Sequence, residues 1–179
     1  ANQIIKLPAL LVDQIAAGEV IERPSSVVKE LLENSLDAGS SQIDVELEDG
    51  GKRLIQVTDD GQGIEPDQLP MALESHATSK LKDASDLHRI LTLGFRGEAL
   101  ASIAAVSTVE LSSRTAGDDV AHRIRASEGS MEPISPMAMR PGTRVSVKDL
   151  FSAVPARRRF LKASSAEVAR CSASLKGAA

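Results

Sequence analysis

Turn-forming breaks at Asp37-Ala38-Gly39, Asp49-Gly50-Gly51 and Asp59-Asp60-Gly61-Gln62-Gly63 constrain the early part of this chain more than any apolar run does. Only one short element fits between each pair of neighbouring breaks. Ile43, Val45 and Leu47 alternate with polar residues, so Gln42–Leu47 reads as a strand with one buried face. Arg53–Thr58 reads as its partner, and the turn formers between them predict an antiparallel hairpin. Upstream, Arg23-Pro24-Ser25-Ser26 has the composition of a helix start, since Pro suits a first turn and Ser caps well. That helix is expected to reach about Asp37, with Gly39 as its left-handed terminator.

Outside this core the pattern is helical at Ala9–Val20, at a short stretch near Asp67–Glu74 and at Glu98–Ala105. A loop from Ala77 to about Asp86 leads to Leu87–Leu91, and later strands are expected at Thr108–Ser113, Ala121–Ala126 and Thr143–Lys148. Steady strand–helix alternation is missing, which excludes a doubly wound sheet and predicts an α+β layer fold. A chain of 179 residues with 42% hydrophobic content can bury the core of one such domain.

Composition also removes several functions. A net charge of −4 gives no nucleic-acid footprint over the whole chain. Phe95, Phe151 and Phe160 are the only aromatics, too few for a surface that stacks unpaired bases. Cys171 stands alone, which excludes an intrachain disulfide, and His76, His88 and His122 lack metal-ligand spacing. No signal peptide is legible and charges interrupt every apolar run, so the expectation is a soluble intracellular protein with no membrane contact.

The helix ending at Asp37 carries the first chemical candidates. At about 100° per residue, Glu30, Asn34 and Asp37 share one stripe, and Val28, Leu31, Leu32 and Leu36 fall on the arc expected to face the core. Polar stripes usually face water. This one has two acids and an amide but no Lys or Arg, and a carboxylate beside a carboxamide can orient a water and hold a hard cation.

Asp59-Asp60-Gly61-Gln62-Gly63 follows a strand and, alone, fits a turn. A dinucleotide fingerprint fails at Pro66 and a calcium loop fails at Pro70. Gly94-Phe95-Arg96-Gly97 precedes a helix whose free N–H groups suit phosphate, although the chain has no GxxxxGK[ST] loop. Thr78-Ser79-Lys80 adds hydroxyls and a cation of the kind that binds anions. Each of these segments taken singly also fits a plain loop.

Together they do not stay generic. Glu30 with ENSLDAG (Glu33–Gly39), DDGQGI (Asp59–Ile64), HATSK (His76–Lys80) and GFRGEAL (Gly94–Leu100) occur in an order that resembles the GHKL ATPases. Gln14–Pro24 and the run from Gly94 to Ile103 look like the MutL-type DNA mismatch repair members, and the likeness is continuous from about Ile4 to Leu161.

The resemblance implies an α/β sandwich, a mixed sheet covered on one face by helices, with ATP and Mg²⁺ as cofactors. It implies that Glu30 is the general base and Asn34 the magnesium ligand. Asp59 would accept from the adenine amino group, Gly61 and Gly63 would let the backbone pass the base, and Thr143 would lie near the adenine. Thr78, Ser79 and Lys80 would close over the phosphates with the lid of Gly94, Phe95, Arg96, Gly97, Glu98, Ala99 and Leu100. Such a site needs mainly positioning, charge neutralisation and an oriented water.

The expected activity is slow Mg-dependent ATP hydrolysis, weak or absent in this chain alone, that drives a dimerisation switch in DNA mismatch repair. The implied partners are a second copy, joined transiently through the arm Ala1–Val12 when ATP is bound, and, in a longer protein, a MutS-type mismatch-recognition protein and DNA. A bacterial cytoplasmic setting is implied as well. The ATP-binding domain is expected at residues 1–161, with 162–179 a truncated or divergent tail toward a second domain. Ser152-Ala153-Val154 departs from the family, which has an aromatic residue and Asn-Thr there, and Arg157–Arg159 forms a compact basic cluster that suits DNA, a neighbouring domain or solvent. A nucleotide-binding interaction domain without turnover and another GHKL ATPase are the alternatives.

Overall fold

The computed structural model describes residues 24–73, 96–127 and 130–152, with backbone alone for 96–99. Helix α1 (Pro24–Asp37) leads into β1 (Ile43–Glu48), a 3-10 turn at Asp49–Gly51 and β2 (Leu54–Asp59). A second 3-10 turn (Pro66–Gln68) runs into the short helix α2 (Leu69–Leu73). Helix α3 (Arg96–Ala105) is followed by β3 (Thr108–Arg114), β4 (Ala121–Ser127), β5 (Ser130–Met131), β6 (Ser135–Met137) and β7 (Gly142–Lys148).

The strands form one sheet in the order β1-β2-β7-β3-β4-β5, with β6 also on β4. The expected hairpin is present, with Val45 opposite Val57. A mixed sheet was implied; the pairings among the described residues are antiparallel throughout. The last long strand, β7, inserts between β2 and β3 rather than adding at an edge.

Register sets what each face carries, because side chains alternate along every strand. On the helix-covered face, Leu47, Ile55, Val147, Val109 and Ala126 form one cross-sheet row, and Val45, Val57, Val145, Leu111 and Ile124 the next. These pack with Val27, Val28, Leu31 and Leu32 of α1 and Ile103 and Ala104 of α3 into a single core. The third row turns polar: Asp59, Thr143, Ser113 and His122 lie abreast. The opposite face carries charges, with Asp44, Glu46 and Glu48 on β1 and Arg123 and Arg125 on β4. The two-layer α+β sandwich is therefore the observed architecture.

Some boundaries and faces differ from the sequence reading. Leu36, placed on the core arc, is 48% exposed, while Val27 and Ser35 are buried. The true buried arc centres near Leu31 and Ser35, which leaves Leu36 about 120° away. Helix α3 starts at Arg96, ahead of the expected Glu98, and the short strands β5 and β6 carry no turn-bounded apolar run that would announce them. The readings at Ala9–Val20, Ala77–Asp86, Leu87–Leu91, Arg157–Arg159 and the division after residue 161 lie outside the described residues.

Past β7 the backbone adopts left-handed conformations at Asp149 (φ 53°) and Phe151 (φ 62°). Each costs about 1–2 kcal/mol in a residue with a Cβ. Burial of the Phe151 ring, which is 0% exposed, offsets this. The Phe151 N–H also donates to the Val106 carbonyl at 2.7 Å, and the Leu150 N–H to the Lys52 carbonyl at 3.1 Å. These bonds tie the end of β7 to the α3–β3 connection and to the start of β2.

Candidate functional site

A cavity of about 280 Å³ opens between the C-terminal half of α1, the 59–64 turn and the polar row of the sheet. Leu31, Leu111 and Val145 make its apolar floor, and Asn34, Asp59 and Thr143 supply its polar groups. A mainly apolar hollow with a few convergent polar atoms suits a flat organic group with defined hydrogen-bonding edges.

Asp59 is 8% exposed and would be costly there without partners. Among the described residues it has two donors. The Ser35 hydroxyl donates to Oδ2 at 2.7 Å, and the Gly61 N–H donates to Oδ1 at 2.9 Å. The carboxylate is thus fixed in orientation, and each oxygen retains accepting capacity toward the cavity.

Asp60 points the other way, into solvent. The Ser41 hydroxyl and the Gln42 and Ser41 N–H groups donate to its carboxylate. The Ser41 hydroxyl bond, followed by the Gln42 N–H, holds its pKa below the ordinary 3.8. With the Gln62 N–H bonded to the Ala38 carbonyl at 3.0 Å, this staples the turn to the end of α1.

Gly61 and Gly63 were expected to let the backbone pass a base; in the structure their missing side chains also make room for the protein itself. A Cβ at Gly61 would lie 2.7 Å from Ala38 Cβ. Gly63 has φ +78°, and a Cβ there would lie 2.4 Å from the Arg114 carbonyl oxygen. Only Gly63 of the pair lines the cavity.

Asn34 borders the cavity, and its Oδ1 is buried with no hydrogen-bond partner among the described residues. Such an acceptor is costly unless a ligand donor or a cation meets it. Among the described residues no group of three His, Cys, Asp or Glu could hold a metal, so a cation here would draw most of its oxygens from a ligand and water.

Glu30 is half-buried one turn before Asn34 on α1 and is not among the residues lining this cavity. Leu100 on α3 does line it, and Arg96, Gly97, Glu98 and Ala99 form the first turn of that helix. Thr78, Ser79, Lys80, Gly94 and Phe95 lie outside the described residues. The sequence reading missed Ser35 and Ser113. Each was detectable as a lone polar residue on an apolar face, Ser35 among Leu31 and Leu32, and Ser113 two positions beyond Leu111.

Comparison with known proteins bears on this geometry directly. Residues 21–141 match the family model described as histidine kinase-, DNA gyrase B- and HSP90-like ATPase. The chain is 52% identical over 170 residues to the DNA mismatch repair protein MutL of Thiobacillus denitrificans, covering 95% of this chain and 28% of that protein. It is 53% identical over 167 residues to the MutL of Pseudomonas fluorescens, covering 93% and 26%. The chain thus spans about a quarter of the length of these relatives. Among solved structures it resembles the Aquifex aeolicus MutL ATPase domain complexed with ADP, with a TM-score of 0.69 and 35% identity over 88% of this chain and 55% of the other. The N-terminal domain of a DNA repair protein matches with a TM-score of 0.75 and 30% identity over 95% of this chain and 49% of that one.

Proposed function

The chain belongs to the histidine kinase-, DNA gyrase B- and HSP90-like ATPases, as the ATPase domain of a MutL-type DNA mismatch repair protein, and from that premise we propose that its cavity binds ATP with Mg²⁺ and hydrolyses it slowly. The observation that carries this reading is the fixed Asp59 carboxylate beside Thr143 at the floor of a mostly apolar hollow. Asp59 accepts from the adenine amino group, and the apolar side chains take the ring faces. The ADP complex of the Aquifex aeolicus relative supports placing a nucleotide on this fold.

The donor set fits a magnesium ion. Asn34 Oδ1 is a neutral hard oxygen at the cavity margin with no partner among the described residues, which suits an ion that takes its other oxygens from phosphates and water. When bound, Mg²⁺ neutralises charge on the phosphates. Glu30, one turn away on the same helix, is proposed to accept the proton of a water aligned on the terminal phosphate. Gly94–Leu100 with Thr78, Ser79 and Lys80 are proposed to close over the phosphates.

In the longer protein, nucleotide state is proposed to switch a repair clamp. ATP orders the lid and the arm Ala1–Val12 into a transient dimer that works with a MutS-type protein and DNA, and ADP releases it. Calorimetry with a non-hydrolysable ATP analogue, with and without Mg²⁺, tests the core of the proposal. Magnesium-dependent binding by the parent, lost in Asp59→Asn, is expected; no binding by either chain removes the site.

A further inference from the structure

Ser113, which belongs to none of the sequence motifs, has a hydroxyl that is fully committed. This inference rests on reading the cavity as an adenine-nucleotide site. Ser113 is 2% exposed, on the inward face of β3, directly beside Thr143 of β7. The Ile64 N–H donates to Ser113 Oγ at 2.8 Å, Oγ donates to the Gly142 carbonyl at 2.9 Å, and Thr143 Oγ1 lies 2.8 Å away. A serine hydroxyl has one hydrogen and two lone pairs. Its hydrogen goes to the Gly142 carbonyl, which has none to give, and one lone pair goes to Ile64. The contact with Thr143 then uses the threonine's hydrogen.

Thr143 lines the cavity, yet its only hydroxyl hydrogen is turned toward Ser113. It therefore faces the ligand with lone pairs alone. Its register partner on β2 is Asp59, and a carboxylate likewise only accepts. The two neighbours make a wall of acceptors.

We infer that Ser113 is a specificity-determining positioning residue: by holding the Thr143 hydrogen it keeps the Asp59–Thr143 wall acceptor-only, which selects a purine with a 6-amino group over one with a 6-oxo group. An amino group brings hydrogens to that wall. A 6-oxo group sets a further acceptor against it, where a buried acceptor without a donor is penalised, and the N1–H that accompanies the oxo group offers the wall one hydrogen where the amino group offers two. Without the Ser113 hydroxyl, Thr143 is free to rotate and offer its hydrogen to the oxo group.

The test compares binding of the β,γ-imido analogues of ATP and of inosine triphosphate, which differ at this edge, by calorimetry. The parent, Ser113→Ala, Ser113→Thr and Thr143→Val are each measured. The expected result is a preference for the adenine analogue that narrows by roughly tenfold in Ser113→Ala and returns in Ser113→Thr. Affinities for both analogues that fall by the same factor in Ser113→Ala overturn the inference and leave Ser113 a purely structural residue. Should Ser113→Ala fail to fold, Thr143→Val decides: a narrowed preference is expected, and an unchanged one overturns the inference. A parent that binds neither analogue overturns the adenine reading itself, an outcome distinct from the parallel loss.

Discussion

Ser35, on the buried face of α1, donates its hydroxyl to Asp59 Oδ2 at 2.7 Å, so the helix that carries Asn34 also orients the carboxylate on β2. Ser35→Ala removes the bond without changing the packing volume much. The expected cost is about 1–2 kcal/mol of folding stability, read from urea melts. Affinity for the ATP analogue is expected to weaken several-fold, because Asp59 must then be ordered by the ligand. Unchanged affinity would mean that the Gly61 N–H alone suffices to hold it.

Asn34 and Glu30 are expected to act at different steps, one in binding and one in hydrolysis. Asn34→Ala removes an acceptor that is buried without a partner among the described residues, so thermal stability in the absence of nucleotide is expected to hold or rise. The same change is expected to abolish the effect of Mg²⁺ on ATP affinity. Glu30→Ala is expected to leave binding intact and cut hydrolysis by about a hundredfold or more, measured as phosphate release. Hydrolysis that survives this change would show that another group takes the proton.

Asp60 gives the domain an acid-sensitive staple. Its folded pKa is lowered, so its contribution to stability is present above the ordinary value of 3.8 and is lost as pH falls through the folded value. Asp60→Asn is expected to melt below the parent at neutral pH. That gap should close as the melts are moved below about pH 4. A gap that persists in acid would assign the difference to packing rather than to the carboxylate.

Gly63 tolerates no side chain. Ala there must adopt φ near +78° and push against the Arg114 carbonyl 2.4 Å away, so Gly63→Ala is expected to cost about 2–4 kcal/mol in denaturant melts. Gly117, with open space where a Cβ would stand, is the control, and Gly117→Ala is expected to stay within about 0.5 kcal/mol of the parent.

Much of this was legible because each feature was local. Period-two alternation set the β1–β2 hairpin, and Gly39, at φ +75°, ends the helix region as its composition suggested. Asp59 was identifiable from its segment, which resembles a known ATP site. The pairing that holds it was not, since the Ser35 hydroxyl reaches Asp59 across layers and Ser113 reaches Thr143 across strands, and neither partner follows from local spacing. Leu36 failed for a related reason. A helical wheel gives the width of an apolar arc, but the sheet beneath α1 decides where its centre falls, and that places Ser35 inside and Leu36 out.

The insertion of β7 between β2 and β3 has a consequence during synthesis. Arg144 and Thr58, bonded side by side, are 86 residues apart in the chain. Residues 24–73 can leave the ribosome with helix and hairpin formed, yet the Asp59–Thr143 wall has no second half until β7 has emerged and paired on both edges. The cavity is complete only in the finished domain, and pairing over such distances makes that completion a late and slow event.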